Sequence, residues 1–156
     1  MADDTAGAAG LAAENAALGE ALAAAHAAVW GYGVVGAALG PQASAAAAAA
    51  ETAHRDLRDR VMALLVDREV EPVGAKGGYA LPFPVLSEVD AAALAVVLED
   101  GVAATWVRVL DQAAERTTRE LAVGALGNAE VRAVSWRTAA GQSPVTNAFP
   151  GLPEPG

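Results

Sequence analysis

The chain has 156 residues, enough for one domain around one core, and carries a formal net charge of −9 with only ten Lys and Arg. An acidic chain with no basic, aromatic-interleaved stretch is unsuited to nucleic acid or to an anionic membrane surface, since both need a cationic face. Cysteine is absent, which excludes a disulfide scaffold, a thiolate metal site and a cysteine nucleophile.

Hydrophobic residues make up 54% of the chain and aromatic residues 4%. Alanine supplies most of the first figure. Alanine loses no side-chain entropy on entering a helix and is a poor strand former, so the composition predicts an all-α protein. Each alanine buries little area, so a few Leu, Val, Trp and Phe side chains must provide most of the burial energy. Met1-Ala2-Asp3-Asp4 lacks the basic start of a signal peptide, and a cytoplasmic location is expected. No Asp, Glu, Lys or Arg lies between Glu20 and Glu51. Glycines and Pro41 interrupt that stretch, and its most apolar part, Ala27 to Leu39, is too short to span a bilayer.

The first predicted helix runs from about Gly7 to Leu39. Leu11, Leu18, Leu22, Ala25, Val29, Tyr32 and Gly36 recur at helical spacing and form its seam. Gly40-Pro41 ends it, and Pro41 suits the first turn of a second helix, Pro41 to about Glu69. That helix carries Ala47, Ala50, Leu57, Val61, Leu64 and Leu65 inward and its Arg and Asp residues mostly outward. From Glu71 to Leu86, Pro and Gly forbid a regular helix, and the alternation of Tyr79, Leu81, Phe83 and Val85 predicts an extended crossover pinned to the body. Ser87 with Asp90 opens the third helix, whose seam is Val89, Ala92, Val96, Glu99, Ala103, Trp106 and Leu110. Thr117 with Glu120 has the form of a capping box for the fourth, which ends at Gly141. Residues 1–141 are therefore expected to form a four-helix bundle, with one long crossover between helices 2 and 3. Residues 142–156 are expected to form an irregular Pro-rich tail, with Phe149 and Leu152 as anchors.

Four features bear on chemistry. Glu51 and His54 form an E-x-x-H pair on one helix face, the spacing of a carboxylate and an imidazole in di-iron bundles. The competing reading is a partly buried His54 held by Glu51, or by carboxylates and backbone nearby. Glu99 lies on a seam, where a carboxylate must be paired or bound to metal. Either it is a lone metal-ligating glutamate or, with Asp100, it faces the bundle edge and pairs with an arginine such as Arg58 or Arg132. His26, Trp30 and Tyr32 read as packing residues with polar atoms at a partner, and Trp136-Arg137 as the end of a bundle.

The stretches AHAAVWGYGVVGA (25–37), HRDLRD (54–59), GYALPFPV (78–85), LEDGVAATW (98–106), VRAVSWR (131–137) and TNAFPGLP (146–153) resemble, in order, an alanine-rich ferritin-like domain of unknown function found in actinobacteria. The resemblance implies a ferritin-like four-helix bundle. Iron-binding members of the wider ferritin-like group carry Glu on helices 1 and 3 and E-x-x-H on helices 2 and 4. On that pattern Glu51, His54 and Glu99 match three of the six ligand positions. Ala25 stands at the helix 1 position, and Ala133 follows Glu130 where histidine is needed. An incomplete set is a poor metal cage. The expectation is thus a non-enzymatic structural or interaction module with a degenerate metal site and no cofactor, self-associating as a homodimer through close-packing faces such as Gly31, Gly33 and Gly36. Iron or another divalent metal at Glu51, His54 and Glu99, serving an oxidase or storage role, is the first alternative. A small apolar ligand in the bundle core is the second.

Overall fold

The computed structural model describes residues 2–153, with side chains from Thr5 onward. Its elements are four helices: α1 (Ala2–Ala38), α2 (Pro41–Asp67), α3 (Glu88–Gln112) and α4 (Arg116–Ala139), with no strand among the described residues. The chain is all-α, as its composition predicts.

Each boundary has a local cause. Pro41 occupies the first turn of α2, where its missing N–H is no loss. Ser87 caps α3 by accepting a hydrogen bond from the Asp90 amide at 3.1 Å, and the Asp90 carboxylate accepts one from the Leu86 amide at 3.0 Å. At the end of α4 the Gly141 amide donates to Thr138 and the Gln142 amide to Arg137, with Gly141 at φ 68°. This is the paired ending that requires a left-handed residue. The fourth start differs from the sequence reading. Glu115, not Thr117, precedes the helix and has no capping side chain of its own, while Glu120 pairs with Arg116. The cap comes from another helix: the Glu14 carboxylate on α1 accepts from the Glu115 amide at 2.8 Å and from the Thr118 hydroxyl at 2.5 Å.

The helices pack in the order α2–α1–α3–α4, with extensive interfaces α1–α2, α1–α3 and α3–α4. Alpha1 runs antiparallel to α3: Gly10 faces Ala114, Glu20 pairs with Arg108, and Gly31 lies against Leu98. It also runs antiparallel to α2, with Gly36 beside Ala47 and Asn15 bonded to Arg68. Two of the glycines expected to serve self-association therefore work inside the chain. A Cβ on Gly31 would come within 2.7 Å of the Leu98 methyls, whereas Gly33 faces open space. By length and composition the stretch Thr5–Ala38 of α1 is long and apolar enough to cross a membrane, longer than the sequence reading allowed. Here its buried face packs on α2 and α3.

The core falls into two apolar parts. One is built around Leu18, Leu22, Val61, Leu65, Val102 and Trp106. The other is built around Tyr32, Val35, Leu94, Val96 and Trp136. Two residues assigned to the seam lie outside the core: Leu11 is only partly covered and Val89 is exposed. Val89 stands at the start of α3, where fewer neighbouring side chains overlap.

The crossover lies along α1. His26 Nε2 is 3.0 Å from the Val73 carbonyl, and Tyr79 stacks at a tilt on Trp30. Phe83 and Val85 pack on the second core part, whereas Leu81 is exposed. The tail is not held by Phe149 and Leu152, which are half exposed. Arg137 donates to the Val145 carbonyl, the Asn147 amide donates to Glu130, and Gly151 lies flat on α3. A Cβ on Gly151, at φ 78°, would meet the Ala103 carbonyl oxygen at 2.6 Å. Only glycine suits that approach and that dihedral.

Candidate functional site

Between the two apolar parts lies a polar layer. Glu99 is fully buried on α3 and gathers three donors on one oxygen. Its Oε1 accepts from the Tyr32 hydroxyl at 2.5 Å, from Arg132 Nε at 2.8 Å and from His54 Nε2 at 2.9 Å. Each donor comes from a different helix: Tyr32 from α1, His54 from α2 and Arg132 from α4. The Tyr32 and His54 rings are stacked, 5.5 Å between centroids. Because a carboxylate oxygen only accepts, Nε2 carries a proton, and Nδ1 is buried without a partner among the described residues. Glu99 Oε2 and the Trp106 indole nitrogen are likewise buried without partners among the described residues.

The electrostatics follow from this layout. Burial alone would raise the Glu99 carboxyl, but the hydrogen bonds from His54 and Arg132 and their charge outweigh it, and the group ends below the usual glutamate value. Tyr32 moves the other way. Burial, then the neighbouring Glu99 charge, pushes its hydroxyl well above an ordinary phenol, so it serves as a proton donor.

The sequence candidates separate in space. His54 and Glu99 meet. Glu51 does not join them: it is partly exposed and pairs with Arg55 one turn on. Glu130 binds Arg137 and the tail. His26 holds the crossover, and so has a different partner from His54. Of the two arginines named for Glu99, Arg132 makes the contact, while Arg58 pairs with Asp59. Asp100 pairs with Arg137 instead.

A metal does not fit this donor set. Among the described residues no three His, Asp or Glu side chains come together as a metal site. Oε1 of Glu99 already holds the Arg132 guanidinium. One carboxylate and one imidazole leave a divalent ion short of ligands.

A second buried carboxylate escaped the sequence reading. Glu14 is fully buried and binds Thr118 and the Glu115 amide, with Arg68 at 2.7 Å. Burial raises its pKa, but these hydrogen bonds and the Arg68 charge bring it below the usual value. The signal was present: Glu14 lies three residues after Leu11 and four before Leu18, on the same seam, as Glu99 lies on its own.

The class defined by this arrangement is an all-α, four-helix protein with a buried ion network across its core. The chain belongs to the family described as a domain of unknown function (DUF4439), whose model matches residues 17–154. It is similar to a conserved hypothetical protein from Mycobacterium tuberculosis known from a crystal structure. The two are 40% identical, with a TM-score of 0.79, and the match covers 81% of this chain and 96% of the other. No curated protein matches.

Proposed function

We propose that the chain is a ferritin-like bundle acting as a non-enzymatic structural or interaction module, with an internal ion network in place of a metal centre. The observation that carries this reading is the Arg132 contact. Its guanidinium lies 2.8 Å from the one carboxylate oxygen that also meets His54 and Tyr32. A fixed side-chain cation there supplies the countercharge that a metal ion would otherwise bring. It also repels a second cation at that distance. The one observation favouring a metal reading is the bare pair of buried atoms, Glu99 Oε2 and His54 Nδ1.

Elemental analysis tests the reading on untagged protein exposed to ferrous iron and then to zinc, followed by desalting. Metal at background level in the wild type is expected. Stoichiometric metal that survives desalting and disappears in Glu99→Ala and His54→Ala would overturn it.

A further inference from the structure

Three helix pairs pack tightly, and no comparable interface joins α2 to α4. Instead a groove of about 570 Å³ runs between them, floored by Leu57, Leu121, Gly124 and Ala125. Small residues on the facing surfaces leave the space between the helices unfilled. A Cβ on Gly124 would meet nothing within 4 Å.

Two cationic heads line this groove. Arg132 is tied down through Nε to fully buried Glu99, and its terminal NH groups have no hydrogen-bond partner among the described residues. Arg60 is the other. Of the ten basic side chains, it alone has no hydrogen bond, ion pair or ring contact with a described residue. The Asn128 amide, on the same wall as Arg132, is also without a partner. Ala53 and Arg60, at the two ends of the α2 wall, are about 10 Å apart along the helix axis.

We propose that the α2–α4 groove binds a small amphipathic carboxylate, such as a short-chain monoacid. Its head lies at the Arg132 guanidinium, with Arg60 and the Asn128 amide adding positive charge and a donor along the same groove, and its apolar body lies on Leu57, Leu121 and Ala125. Arginine's fork matches a carboxylate in two-point contact, and the Glu99 bond holds one fork in place before the ligand arrives. The rim carboxylates select the charge. Glu120 is held by Arg116, but Asp56 faces the groove without a partner, and it disfavours a dianion such as phosphate. This goes beyond the reading of a metal-free module and stands on a different surface.

The test is an NMR titration of the ¹⁵N-labelled full chain with sodium hexanoate at constant ionic strength. It follows the Arg Nε–H and Asn side-chain amide signals. Saturable shifts are expected at Arg60, Arg132 and Asn128. Affinity should fall at least tenfold in Arg60→Gln, and the shifts should vanish in Gly124→Leu, which fills the groove from an open position while adding a better helix former. An unchanged backbone spectrum away from the groove shows that both variants fold. The proposal is overturned if hexanoate gives no saturable shift, if both variants bind as well as the wild type, or if inorganic phosphate binds as tightly as hexanoate.

Discussion

Arg132 reaches Glu99 from α4 while Tyr32 and His54 reach it from α1 and α2, so one carboxylate joins all four helices. Breaking one partner of such a group costs more than removing both, because the survivor stays buried and unpaired. Arg132→Met should therefore destabilise the fold by about 3–5 kcal/mol in chemical denaturation. The double variant Arg132→Met/Glu99→Gln should recover at least half of that loss. Equal costs for the single and double variants would show that Glu99 is not held mainly by Arg132. The pH dependence carries the same sign. The folded Glu99 carboxyl lies below its ordinary value, so its contribution is full above about pH 4.3 and is lost as pH falls below that. Asp100 works in the opposite direction, because burial raises it. The double variant should thus lose less stability than the wild type between neutral pH and pH 3. Much of this network was legible in the sequence: Glu99 on a seam, with Arg132 among its named partners. Glu51 was misplaced because E-x-x-H spacing fixes a helix face to within one turn, and the Arg55 ion pair one turn on draws Glu51 outward.

At the scale of the helix, glycine has two opposite meanings in this chain. Gly124 faces the open groove, so an added methyl there meets nothing, and Ala is the better helix former. Gly124→Ala should raise stability by about 0.5–1 kcal/mol. The same change at Gly31 drives a methyl against the end of Leu98 at 2.7 Å and should forfeit that gain. Equal effects at the two sites, measured by urea midpoints, would refute the contrast. The helices themselves were easy to read, because alanine content, Pro41, the Ser87 cap and Gly141 each act locally. The start of α4 was not, because its cap is the Glu14 side chain, a hundred residues away along the chain. Likewise the glycine faces of α1 look the same in sequence whether they receive a neighbouring helix or a second molecule.

For the whole molecule, α2 and α4 do not pack backbone against backbone as the other three neighbouring pairs do, so the bundle is loosest along that side. Alpha1 and α3 each pack closely against two helices, and α2 and α4 each against one. Opening that exposes α2 or α4 breaks one interface, whereas exposing α1 or α3 breaks two. Native-state hydrogen exchange should therefore be slowest in the middle of α1 and α3, and faster at the matching depth of α2 and α4. Uniform protection across all four helices would show that the open side is no weaker than the rest.

The placement of Arg132 has one further consequence. Its Nε serves the buried Glu99 while its remaining nitrogens face the groove. Occupancy outside and integrity inside are thus thermodynamically linked through a single side chain. A solute that orders this guanidinium in the groove reports itself as a gain in melting temperature, and one that pulls it away from Glu99 reports itself as a loss. The protein's own unfolding curve is a readout of what enters the groove.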